Sequence, residues 1–436
     1  MTKQSKSKNQ WFKSRGYLHF DTPVSEQFAE KIVKCPEKVK KHSFYPFISY
    51  TDQKLKLKKE NGKIDRKTKD RPIAYAAHLD SHIFSYYAYL LNSKYEEMIK
   101  NKYAYLDNSI CAFRKLGKNN IDFAKIAFDK IRELGNCSVL ALDIKGFFDN
   151  IDHQILKQSW CKVLELDKLP DDHYAVYKAI TKFSKIEKDT VFDYFKIPKN
   201  TVAFKEYKRI CTPKEFRSFR KDYSKNIQTN NSGKAIPQGS PISALLSNIY
   251  MLDFDNNVFN FLNQINQQFM YLRYCDDILC IVDKENLETV QRFILEEIKK
   301  IKLEINEQKT EIVHFTKTNN KLSSNRALQY LGLVLENNSI RLRSSCFNRY
   351  LNKMKRSVHL AQKTRKKYNT IRKRKGLPTR TIYKKKLYSK YSHFGGNNFI
   401  SYGKRAAKIL NSNTIRRQLA PLYCRLHKRI SATNNL

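Results

Sequence analysis

Acidic residues are scarce in this chain of 436 residues. Lys and Arg number 84 against 41 Asp and Glu, a formal net charge of +43. The shortage is sharpest at the end: residues 337–436 hold 27 Lys and Arg and no Asp or Glu at all. Long apolar runs are missing too, which excludes a transmembrane helix and predicts no contact with membrane. The basic start of the chain has no apolar segment behind it, so no secretory signal is expected. Nine Cys without a CxxC pair argue against a disulfide framework or a structural zinc site, and together these absences predict a soluble, cytoplasmic protein.

What is present is a foldable chain. Hydrophobic residues make up 41% and aromatics 12%, enough for a packed interior. A compact domain with this charge repels itself unless a polyanion neutralises it, and nucleic acid is the expected partner. The acid-free stretch gives a composition boundary, dividing the chain into 1–335 and a basic helical module at 336–436. Within that module apolar residues recur at helical spacing over Tyr350–Asn369 and Ile400–Arg429, with breaks at Gly376-Leu-Pro378 and Gly395-Gly-Asn-Asn398. Upstream, Phe84–Ile99 and Leu287–Ile301 have helical periodicity, whereas Cys137–Phe148 and Phe269–Val282 are apolar runs of strand type. The fold class expected is α+β.

In so basic a chain, carboxylates inside apolar strands stand out. Asp143 ends the run Ser138-Val-Leu-Ala-Leu, and Asp276-Asp277 divides two apolar arms in the pattern of a β-hairpin with both acids at its turn. A buried carboxylate without a partner costs several kcal/mol, about what a cation or metal would have to relieve. Three Asp on neighbouring strand ends form a hard-oxygen set suited to Mg²⁺. Two such ions support in-line phosphoryl transfer.

Tyr274-Cys-Asp276-Asp277 resembles the YxDD box of reverse transcriptases, and Asp143-Ile-Lys-Gly-Phe-Phe148 their first palm motif. Between them, in the family's order, stands Ile236-Pro-Gln238-Gly239-Ser-Pro, similar to the nucleotide-positioning PQG motif, and further on come Leu303–Thr310 and Leu328-Gln-Tyr-Leu-Gly332-Leu, similar to the fourth palm motif and the primer-grip turn. The resemblance implies a right-hand polymerase with fingers, palm and a helical thumb, copying an RNA template into cDNA from dNTPs with two Mg²⁺ ions. It implies Asp143, Asp276 and Asp277 as catalytic metal ligands, with Ile144 contributing its backbone carbonyl, and Lys309 as proton donor to pyrophosphate. By the same resemblance Phe148 falls at the steric gate against a ribose 2′-hydroxyl, Gln238 touches the nucleotide sugar or the template strand, and Gly239 lets the backbone approach closely. A basic hairpin (Lys54, Lys56, Lys58, Lys59, Lys63) before Arg71-Pro-Ile73 resembles the fingers, with Arg71 on the triphosphate. Phe113-Arg114 resembles a motif lining the template channel.

The stretch 153–235, with its basic residues 205–225, is longer than the family pattern leads one to expect, and a tail without acids can hold no RNase H-like carboxylate set. Arg71–Asp80 and Phe399–Ala407 look like the bacterial defence-associated reverse transcriptases, within them the compact single-gene type-two class. That likeness implies a noncoding RNA template and a role against phage. The alternatives are a retron or group II intron enzyme, or an RNA-binding scaffold without turnover.

Overall fold

The structure is a computed structural model that describes residues 9–60, 63–198, 207–265 and 268–432. Its strands are β1 (Phe47–Glu60), β2 (Lys63–Tyr75), β3 (Cys137–Asp143), β4 (Ser184–Glu187), β5 (Gln228–Thr229), β6 (Met270–Tyr274), β7 (Asp277–Val282), β8 (Glu311–Thr318), β9 (Lys321–Ser324), β10 (Leu328–Tyr330), β11 (Leu333–Glu336) and β12 (Ser339–Leu342). With helices packed around three sheets, the chain has the mixed α+β architecture that its sequence implies.

The central sheet has the order β6-β7-β3-β8-β9, all neighbours antiparallel. Its middle strand β3 is apolar on both faces because both faces are covered. Alternate side chains serve two cores. Leu140 and Leu142 join Ile278 and Cys280 under the helices His78–Lys102 and Leu287–Lys300. Cys137 and Val139 join Leu279 and Ile281 under the helix Asn120–Leu134. The apolar stripe of Leu287–Lys300 is the one its spacing predicts: Leu287, Val290, Ile294 and Ile298 are buried.

Two local expectations change. The strand-type run 137–148 stops at Asp143: Gly146 turns the chain at φ +55, and Phe147–Asn150 form a helical turn. The hairpin turn is Cys275-Asp276 rather than Asp276-Asp277, with Cys275 at φ +61 and Asp277 already paired to Tyr274 as the first residue of β7.

β1 and β2 form a long hairpin, joined through β1 in parallel to β4 and then to β5, in the order β2-β1-β4-β5. The lysine side chains expected there lie outside the described residues. The stretch 153–235 supplies β4, β5 and helices including Lys188–Tyr194 and Pro213–Asp222, and a separate small core of Phe192, Phe216 and Phe219 with Phe20 and Ile48 ties it to the hairpin root. At the other end β10, β11 and β12 form a meander whose first turn is Leu331-Gly332, both at positive φ as a two-residue hairpin turn requires. There follow the helices Ser344–Arg374, Lys385–Tyr391, Phe399–Ile409, Asn413–Leu419 and Pro421–Ser431, broken at the two glycine positions expected. Among the described residues no helix is long and apolar enough to cross a membrane.

Candidate active site

The central sheet brings the three aspartates to one end. Asp143 closes β3 directly opposite Asp277 in the β3–β7 register. Asp276 sits in the turn between, and its carbonyl accepts the Ile144 N–H at 3.0 Å. The Asn306 N–H donates to the Asp143 carbonyl at 2.8 Å, and Lys145 N–H to the Glu304 carbonyl at 2.8 Å. The backbone on both sides of Asp143 is thus pinned. Lys309, on the single turn Glu307–Lys309, reaches the Asp143 carboxylate as an ion pair. The Asp277 carboxyl is pushed up to about 6, first by desolvation and then by the like charges of Asp276 and Asp143, against the pull of Lys309 and Arg343.

Among the described residues no three His, Cys, Asp or Glu side chains converge into a formed metal cluster. The donor chemistry of the sheet end nonetheless fits a hard divalent cation. It offers oxygen ligands only, and their mutual repulsion, visible in Asp277, is what a bound cation relieves.

Beneath the hairpin lies a charge pair that the sequence reading missed. Arg273 is fully buried in β6 and donates to both Asp255 carboxylate oxygens, at 2.7 and 2.6 Å. Its third nitrogen reaches the Asn248 Oδ1 at 3.2 Å and the Cys275 carbonyl at 3.3 Å. Asp255 also accepts the Tyr271 hydroxyl at 2.6 Å. The guanidinium therefore holds the carbonyl immediately before Asp276. The signal was available: an Arg inside the apolar run Met270–Tyr274 is as anomalous as the carboxylates beside it.

The same network positions the segment before the first palm strand. Cys111 N–H donates to the Arg273 carbonyl at 2.9 Å, Arg273 N–H to the Ser109 carbonyl at 2.8 Å, and Asn248 Nδ2 to the Ala112 carbonyl at 2.9 Å. The Arg114 guanidinium is buried and turned to the protein's own acceptors. Its five N–H groups go to both Glu96 oxygens, an Asp107 carboxylate oxygen and the carbonyls of Asp107 and Ile110. With no donor left for a phosphate, Arg114 locks the loop that leaves Phe113 exposed at φ +63.

The loop carrying Gln238 and Gly239 bridges the helical turn after β3 to the hairpin root. Ile236 N–H donates to the Phe148 carbonyl at 2.9 Å, and Ala74 N–H, on β2, to the Gln238 carbonyl at 2.8 Å. A Cβ on Gly239 would lie 2.6 Å from the Ala74 carbonyl oxygen, and its φ of +116 is open only to glycine. Phe148 and Gln238 are half-buried, with Phe148 packed on the larger core against Phe147. Arg71 is exposed on β2, across from Asp52 on β1.

The model of the reverse transcriptase (RNA-dependent DNA polymerase) family matches residues 58–335. No curated protein matches the chain. Among solved structures, apo telomerase from Candida tropicalis lacking its C-terminal domain is 12% identical with a TM-score of 0.40, over 73% of this chain and 60% of that one. Telomerase from Candida albicans, in complex with a fragment of telomeric RNA, is 15% identical with a TM-score of 0.39, over 73% of this chain and 49% of that one. The family model covers well over half the sequence, from the basic hairpin through the aspartate-bearing sheet: the chain belongs to the reverse transcriptase family.

Proposed function

We propose that the chain is an RNA-directed DNA polymerase that copies a bound noncoding RNA into cDNA, with 1–335 as fingers and palm and 336–436 as the thumb. The observation that carries the reading is the register of Asp143 opposite Asp277 with Asp276 in the intervening turn. Asp143 and Asp276 would hold Mg²⁺ through their carboxylates, with Asp277 beside them and Ile144 adding its carbonyl. When bound, two Mg²⁺ ions lower the pKa of a primer 3′-hydroxyl and stabilise the charge of departing pyrophosphate.

The chain's own groups do the rest. Lys309 would give a proton to the pyrophosphate, a role supported by its ion pair with Asp143 at the same sheet end. Phe148 excludes a 2′-hydroxyl, and the Gln238–Gly239 loop, tied to the Phe148 and Ala74 backbones, fixes the nucleotide's sugar against that ring. Arg71 clamps the triphosphate through a bidentate guanidinium. The Arg273–Asp255 pair keeps the hairpin in place for each addition.

The likeness of Arg71–Asp80 and Phe399–Ala407 to bacterial defence-associated enzymes supports an antiphage setting, in which the template is a dedicated RNA. Sequencing the nucleic acids that copurify tests this. A single abundant RNA with DNA complementary to it is expected; a random transcript population without complementary DNA would refute a dedicated template.

A further inference from the structure

The acid-free module holds a groove outside the aspartate-bearing sheet. Helix Ser344–Arg374 buries Tyr350, Met354 and Val358, and no side chain beyond Val358 on this helix is buried. Its outer half is instead flanked by the returning chain. The Asn369 side chain donates to the Arg380 carbonyl and accepts the Arg380 N–H, both at 2.9 Å, and Arg372 Nε donates to the Pro378 carbonyl at 2.6 Å. Between helix and returning segment runs a groove of about 560 Å³, lined by Leu360, Tyr368, Ile371 and Tyr383 among arginines and lysines, with no carboxylate on its walls.

These apolar side chains face water. Tyr383 is 70% exposed, Leu360 64% and Tyr368 60%. Single exposed apolar residues are ordinary, but a contiguous set along one groove marks a binding surface. The charge selects the occupant: with no acid anywhere in 337–436, the groove draws a polyanion. Exposed tyrosine rings flanked by cations are a stacking platform for bases, and only unpaired nucleotides offer a free base face.

Resting on the RNA-copying reading above, we infer that this groove takes an unpaired stretch of the bound RNA, its bases stacked on Tyr368 and Tyr383 and its phosphates on the surrounding Arg and Lys. The site lies outside the palm and holds the RNA without acting on it chemically.

The test uses the full chain and a labelled oligouridylate of ~12 nucleotides, with a blunt RNA duplex of the same length as comparison, at ~150 mM salt. Tyr368→Ala with Tyr383→Ala is expected to weaken oligouridylate binding about tenfold or more, and the corresponding pair of Phe substitutions to restore it. Duplex affinity should change far less, because paired bases cannot stack on the rings. Both tyrosines are solvent-facing, so an unaltered melting midpoint will show that the variants fold. Unchanged oligouridylate affinity in the Ala pair, or an equal loss for the duplex, would overturn the inference. So would polyglutamate binding with the same tyrosine dependence, which would make the groove a peptide site. Primer extension by the unaltered chain is read separately: its absence alongside tyrosine-dependent RNA binding would remove the polymerase reading and leave the groove.

Discussion

Replacing Asp255 with Asn tests the support beneath the aspartate hairpin. The substitution keeps side-chain volume and removes one charge, so what changes is the counter-ion of Arg273. That guanidinium is fully buried, and two of its nitrogens are devoted to Asp255. Breaking a buried ion pair at one partner costs about 3–5 kcal/mol, because the remaining charge stays desolvated without compensation. A loss of this size is a large share of the ~5–15 kcal/mol that keeps a typical domain folded. Urea unfolding followed by circular dichroism should show a lower midpoint at unchanged slope. The paired replacement Arg273→Met with Asp255→Leu removes both charges and should recover at least half the loss, yet it also frees the Cys275 carbonyl that Arg273 holds. Stability and catalysis are therefore expected to separate, with the double variant folded but slow in primer extension. A loss below ~1 kcal/mol in Asp255→Asn, or a double variant as unstable as the single one, would refute the reasoning.

Three further outcomes are expected. Asp277 is a carboxyl whose folded pKa, about 6, stands above its ordinary 3.8. The folded chain therefore binds this proton more tightly than the unfolded one, and the contribution to stability is full below pH ~4 and lost as pH rises through ~6. Asp277→Asn should accordingly flatten the melting profile over that window and raise the midpoint at neutral pH; a profile identical to that of the unaltered chain would contradict the repulsion described. Gly239→Ala should destabilise by about 1–3 kcal/mol and impair nucleotide use, since the residue stands at φ +116 with a carbonyl oxygen where Cβ would go; thermal melts and KM for dNTP report both. Phe148→Ala should raise ribonucleotide incorporation, read by alkaline cleavage of the product, whereas unchanged discrimination would place the gate elsewhere.

How far the sequence reached follows from where its signals were local. Strands β3, β6 and β7, the helix Leu287–Lys300 and the breaks in the basic module are written in apolar periodicity and glycine, so they were legible. The turn at Cys275-Asp276 was misplaced by one residue, because a positive φ at cysteine is imposed by the hairpin and by the Arg273 contact to its carbonyl, not by local preference. The ion pairs of Arg114 were not legible for a related reason: an arginine looks the same in sequence whether its donors meet solvent or, as here, the carboxylates of Glu96 and Asp107. Asp255, 18 residues before Arg273, escaped because acids were sought in strands and this one is on a helix. The closure of the loop 375–384 on the long helix depends on side chain to backbone bonds that no pattern announces.

We assign RNA-templated DNA synthesis to Asp143, Asp276 and Asp277. The most direct test is extension of a DNA primer annealed to an RNA template by the purified chain, with dNTPs and Mg²⁺, alongside the Asp276→Ala/Asp277→Ala variant. Extension that requires Mg²⁺ and is abolished in a variant with an intact melting transition is the expected result. Full synthesis by that variant would contradict the claim.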